Sequence, residues 1–116
     1  MKPACPFCAD NISEISFYET DNFRTIYNIA PILPGHSLLV PKQHKESLMD
    51  FSDNQLSEMM LHTKKAIQLL QKAFSTEGFN LSLQEKYEAG QNIAHFHLHI
   101  IPRSPGDLKH PGDWYP

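Results

Sequence analysis

The chain has 116 residues, enough for one compact domain with its own core. Hydrophobic residues make up 41% and charged residues 20%, and a formal net charge of −3 with no basic run argues against a nucleic-acid surface while leaving room for a single nucleotide. No apolar stretch approaches the ~20 residues that span a membrane, and Met1-Lys2-Pro3-Ala4-Cys5 lacks the apolar core of a secretion signal, so a cytoplasmic protein is expected, with its two cysteines as thiols or metal ligands.

Residues 1–12 form a Cys/Pro-rich entry. Ser16–Thr20 and Phe23–Ile29 are rich in aromatic and β-branched residues and flank the turn signal Asp21-Asn22, which predicts a hairpin. Pro31, Pro34 and Gly35 mark a loop, and His36–Val40 is a third strand stopped by Pro41. Ser52 with Gln55 three residues on is a capping box. Behind it, Leu56, Met59, Met60, Thr63, Ile67, Leu70 and Phe74 follow helical spacing and predict one amphipathic helix of about five or six turns, with its methionines in the core. His62 falls off that stripe and reads as a solvated side chain. Gly78 ends the helical region, Phe79–Gln84 is a fourth strand and His95–Ile101 a fifth. This order predicts an α+β fold over residues 1–116, a five-stranded antiparallel sheet with one long helix packed on it and a short tail at 108–116.

Two motifs carry chemistry. Cys5-Pro6-Phe7-Cys8 spaces two thiolates to grip one tetrahedral metal, normally zinc, with His44 and His95 as available further ligands. Free thiols, or redox chemistry of the thioredoxin type, are the competing readings; with four residues before Cys5, the strand that precedes such a redox motif is not expected. The second motif is His95-Phe96-His97-Leu98-His99-Ile100-Ile101. In an extended strand the three imidazoles share one face and the apolar residues the other. All three could bind one catalytic zinc, or one could be a nucleophile. Just upstream, Ala89-Gly90-Gln91-Asn92 offers a glycine turn whose backbone N–H groups could hold phosphate oxygens.

The segment from Ala89 to Arg103, followed by Gly106-Asp107, resembles the signature of the histidine triad (HIT) superfamily, His-φ-His-φ-His-φ-φ with φ apolar. Pro34-Gly35-His36 through Pro41-Lys42-Gln43-His44 and the Cys5–Cys8 knuckle match the same family in order and spacing. The resemblance implies a nucleotidyl hydrolase or transferase that attacks an α-phosphate and passes through a covalent nucleotidyl-histidine. His97 matches the nucleophile, and His99 and His36 match residues around the reacting phosphate. Asn28 matches a ribose-binding position, Ile26 and Ile29 match base-pocket positions, and Gln84, Gln91 and Asn92 match polar positions of the site. Cys5, Cys8, His44 and His95 match the ligands of a structural zinc, which would leave the chemistry at phosphorus metal-independent. A homodimer is also implied, with sheets joined edge to edge.

Residues Asn80 to Gln91 are closest to the fragile-histidine-triad branch, which cleaves dinucleoside polyphosphates, whereas the knuckle is typical of the nucleoside phosphoramidase branch. Dinucleoside polyphosphate hydrolysis is therefore the first expectation and phosphoramidate hydrolysis the second. A zinc-stabilised nucleotide-binding or interaction module without chemistry is the third.

Overall fold

The fold places its helix and its histidines on opposite faces of one sheet. The computed structural model describes residues 7–8, 15–91, 93–110 and 112. Cys5 and Asn92 lie outside the described residues. Five strands, β1 (Ser16–Glu19), β2 (Phe23–Tyr27), β3 (Ser37–Pro41), β4 (Gly78–Leu83) and β5 (Leu98–Arg103), form an antiparallel sheet in the order β1-β2-β3-β5-β4. Among the described residues the one long helix is α1 (Asp53–Phe74).

Register assigns the faces, because residues directly opposite in an antiparallel pair point the same way. Thr25, Leu39, Leu98 and Leu83 are aligned across four strands. Leu39 and Leu98 belong to the core that α1 completes through Met59, Ala66, Ile67 and Leu70, with Phe51 and Phe96 filling its edge. The neighbouring row, Ile26, Leu38, His99 and Ser82, faces the other way. There a smaller cluster of Phe7, Ile26, Leu38 and Val40, with Ile93 packed against it, supports the histidines.

The helix begins as its sequence requires. Ser52 accepts from the N–H of Gln55, and the Gln55 side chain accepts from the N–H of Ser52, so two amide groups at the first turn are satisfied reciprocally. It ends at Ser75, whose left-handed backbone (φ 53°) closes the last turn; Gly78 opens β4 instead of capping the helix.

Two expectations for the helix are corrected. His62 is not solvated but 1% exposed. It lies three residues after Met59 and four before Ala66, so helical geometry puts it on the buried face. There Thr20 and Thr25 supply hydroxyls to its two ring nitrogens at 2.8 and 2.6 Å. Of the two helix methionines only Met59 is core; Met60 is exposed because it is one step, about 100°, around the helix.

The fifth strand also starts later than expected. His95 and His97 precede β5 in a bent segment, so the three imidazoles do not form one row on a regular strand. The backbone there is used otherwise: Phe96 N–H donates to the carbonyl of Lys45, and the carbonyl of His95 accepts from the ring of His97. Among the described residues no helix is long and apolar enough to cross a membrane.

Candidate active site

The bend before β5 divides the triad into two groups. His95 turns into the sheet end beside the loop that follows β3. Its Nε2 donates to the carbonyl of Pro41 at 3.1 Å, so its Nδ1 presents a lone pair. Nδ1 of His95, Nδ1 of His44 and Sγ of Cys8 form a triangle with edges of 3.1, 3.1 and 3.2 Å. Tetrahedral zinc, with bonds of about 2.3 Å to sulfur and 2.0 Å to nitrogen, holds its donors roughly 3.3–3.6 Å apart. The triangle fits a small cation with slight expansion, and a cation relieves the repulsion of converging lone pairs. The Cys8–His44–His95 cluster can therefore hold a metal ion. Beyond it, the Glu46 carboxylate lies 4.0 Å from Nε2 of His44.

His97 and His99 face the second group. Nδ1 of His97 donates to the carbonyl of His95 at 2.8 Å, which leaves the Nε2 lone pair for an electrophile. Burial holds the His97 pKa below the ordinary value, against the upward pull of that carbonyl. His99 is pushed down to about 4 by burial and by like charge from His97 and His36. Burial also lowers His36. All three rings are thus neutral at pH 7, the state in which an imidazole can act as nucleophile. Nε2 of His36 lies 2.9 Å from Nδ1 of His99, and Nδ1 of His36 accepts from the backbone N–H of Ile32 at 3.1 Å.

The remaining expected site residues are distributed unevenly. Asn28 follows β2 beside His36. Its Oδ1 accepts from the Ala30 N–H at 3.0 Å, which fixes the amide, and its Nδ2 lies 3.4 Å from Nε2 of His36. Ile26 and Ile29 are separated: Ile26 is packed beneath the histidines, while Ile29 is 91% exposed. Gln84 is half-buried just past β4. Gln91 closes the loop between β4 and the triad, its Oε1 accepting from the Lys86 N–H at 2.7 Å.

Of the loop Ala89-Gly90-Gln91-Asn92 expected to hold phosphate oxygens, the three described N–H groups are engaged within the loop, and Asn92 lies outside the described residues. The N–H groups of Ala89 and Gln91 donate to the carbonyl of Lys86, and that of Gly90 donates to Tyr87. They serve the loop itself, which carries Lys86 at φ 70°, ψ 161°, a backbone region nearly exclusive to glycine.

Phe7 was not singled out by sequence. It sits between the two cysteines, packs edge-on against His95 with ring centres 5.6 Å apart, and tilts onto His97 at 5.2 Å. The knuckle therefore touches both histidine groups through one ring. Its signal was a large apolar residue inside a loop otherwise committed to ligands.

An antiparallel sheet with a helix behind it and this histidine arrangement in front defines the class of histidine-triad folds. The chain belongs to the HIT family, whose HIT domain matches residues 9–106. It is 36% identical over 93 residues to the bis(5'-nucleosyl)-tetraphosphatase (asymmetrical) of Schizosaccharomyces pombe, covering 80% of this chain and 51% of that protein. It is 35% identical over 106 residues to an uncharacterized HIT-like protein of Methanocaldococcus jannaschii, covering 89% and 81%. A bis(5'-adenosyl)-triphosphatase of Dictyostelium discoideum matches at 31% identity over 97 residues, 84% of this chain and 64% of that one. The chain thus spans about half to two thirds of the length of the two named hydrolases. Among solved structures, a zinc-bound histidine triad family protein from Mycobacterium smegmatis superposes with a TM-score of 0.78 at 30% identity, covering 90% of this chain and 78% of that one.

Proposed function

We propose that the protein hydrolyses a dinucleoside polyphosphate at its α-phosphate through a covalent nucleotidyl-histidine on His97. The observation that carries this reading is the bond between Nδ1 of His97 and the carbonyl of His95. It points the lone pair of a neutral imidazole outward. It also stabilises the cationic ring that forms once Nε2 is bonded to phosphorus. In the first step the Nε2–phosphorus bond forms and the bridging oxygen–phosphorus bond breaks, the electron pair leaving with the departing phosphate. In the second step water attacks phosphorus, the nitrogen–phosphorus bond breaks and a nucleoside monophosphate and a proton leave. The relatives named as tetraphosphatase and triphosphatase support this substrate class.

The metal held by Cys8, His44 and His95 is read as zinc, with Cys5 as the fourth ligand. A closed four-ligand site supplies stability rather than a bound nucleophilic water. A homodimer is read from the edge of β4 away from β5, which pairs with no other strand among the described residues and on which Phe79 and Leu81 are exposed.

The test compares turnover of a dinucleoside polyphosphate, an adenosine phosphoramidate and a nucleotide sugar. The dinucleotide should be the preferred substrate, and a preference for the phosphoramidate would reassign the branch. His97→Ala should lose on the order of 10⁴-fold or more in kcat while nucleotide still binds. Label from the α-phosphate should be trapped on His97 by a quench that avoids acid. Near-normal turnover of the variant would rule out the covalent route.

A further inference from the structure

Both ring nitrogens of His36 are already engaged within the protein. The partner of Nδ1 is the backbone N–H of Ile32, 3.1 Å away, a group that can only donate. In neutral His36 the single ring proton is therefore on Nε2. That nitrogen lies 2.9 Å from Nδ1 of His99, and a contact between two ring nitrogens at this distance needs one proton. His36 supplies it, so Nδ1 of His99 accepts. The proton of neutral His99 is then carried on Nε2, on the far side of its ring from His36.

We propose that His36 is a positioning residue and not a phosphate ligand: the Ile32 N–H fixes the proton of His36, and His36 in turn fixes His99 as an Nε2–H donor beside the His97 nucleophile. The rings of His36, His97 and His99 then hold their protons in a defined order. His97 carries its proton on Nδ1 and presents a lone pair, whereas His99 carries its proton on Nε2 and presents a donor. One attacks phosphorus and the other hydrogen-bonds the oxygen on which charge develops.

The sequence explains why the anchor is rigid. Ile32 lies in Pro31-Ile32-Leu33-Pro34, where the two prolines restrict the backbone and have no N–H of their own. The N–H of His36 closes the loop onto the carbonyl of Leu33 at 3.0 Å. Nδ2 of Asn28 also lies 3.4 Å from Nε2 of His36, but both groups are donors in this order, so the proton of His36 serves the shorter 2.9 Å contact to His99. The Asn28 amide protons are therefore left for an acceptor outside this chain of rings. Burial supports the order by keeping His36 and His99 neutral.

What His99 does with its proton rests on the proposed phosphorus chemistry, whereas the proton order itself rests on the contacts alone. Nitrogen NMR of the wild-type protein labelled at histidine should show a coupling across the hydrogen bond between Nε2 of His36 and Nδ1 of His99, with the proton attached to His36. A proton attached to Nδ1 of His99, or to Nδ1 of His36, would overturn the inference. In kinetics, His36→Ala should lower kcat roughly 10- to 100-fold with KM within about threefold, the pattern of a lost orienting partner. His36→Gln, whose amide can still donate to His99, should retain kcat within about threefold of wild type. A rise in KM with kcat unchanged in His36→Ala would make His36 a substrate ligand and overturn the inference. If wild-type protein turns over none of the three substrates, the proposed function fails, while the NMR result still decides the proton order.

Discussion

The carbonyl of His95 holds Nδ1 of His97 at 2.8 Å, while the ring of the same His95 belongs to the Cys8–His44 cluster. One residue thus joins the cluster that can hold a metal to the candidate nucleophile, through its side chain on one side and its backbone on the other. Phe7 reinforces the join by packing on both rings.

Metal removal should therefore act first on stability and then on catalysis. Protein purified without chelator should carry about one zinc per chain. Stripping the metal should lower the melting temperature, because a ligand bound only by the folded state at 1,000 times its Kd contributes about 4 kcal/mol. His44→Ala should lose metal and melt earlier, with KM in the remaining folded fraction close to wild type. Elemental analysis and thermal melts on both samples check this. Full zinc content and an unchanged melt in His44→Ala would remove His44 from the site.

Asn28→Ala should show the opposite pattern. The Asn28 amide is fixed by the Ala30 N–H and keeps its own protons available for substrate. Losing one or two neutral hydrogen bonds should cost about 1–3 kcal/mol, roughly 5- to 150-fold in kcat/KM, and mainly through KM. Zinc content should not change. Steady-state kinetics beside metal analysis separates this variant from His44→Ala.

His62 should make the fold sensitive to acid. Thr20 donates to Glu58 at 3.1 Å, so its oxygen accepts from Nδ1 of His62, and Nε2 of His62 accepts from Thr25. What disfavours the charged ring is its burial. Burial pushes the folded-state pKa down from 6.5 to about 4. Between these values the unfolded chain binds more protons than the folded one, so stability rises with pH. The His62 contribution is complete above about pH 6.5 and is lost as pH falls towards 4, a difference of about 3 kcal/mol. The buried rings of His36, His97 and His99 act in the same sense, so the measurement is a comparison. Urea unfolding from pH 7.5 to 4.5 should show a shallower loss in His62→Gln than in wild type. Parallel curves would show that His62 does not titrate in this range.

Much of this arrangement was legible in the sequence. The capping box at Ser52 and the apolar stripe behind it marked the start and face of α1, and apolar and β-branched runs between turn signals marked the five strands to within a few residues. His62 was read as off the stripe because the stripe was drawn without Ala66, four residues on, whose buried face His62 shares with Met59. The bend before β5 was hidden because alternation of His and apolar residues is also what a strand looks like. The bond that breaks the strand, from the His97 ring to its neighbour's carbonyl, has no sequence signature. The engaged amides of residues 89–91 and the Ile32 anchor are likewise tertiary facts about loops, where sequence gives composition but not hydrogen-bond partners.

Gly35 offers a test of how the loop delivers His36. Its φ is +84°, in the left-handed region that disfavours side chains. A Cβ there would also lie 2.9 Å from the Phe74 ring and 2.9 Å from Pro102, so the end of α1 and the end of β5 both close on this backbone. Gly35→Ala should destabilise the protein by about 1–3 kcal/mol from backbone strain, with the two close contacts adding to it. In a domain of this size each kcal/mol lowers the melting temperature by roughly 4–8 °C. Because His36 is the next residue, kcat should fall further than the loss of folded protein explains. Gly112→Ala is the control, since among the described residues nothing lies within 4 Å of the added methyl and its φ is not in the left-handed region. It should melt within about 0.5 kcal/mol of wild type. A Gly35→Ala protein as stable and active as the Gly112→Ala control would mean that the loop accommodates a side chain without moving His36.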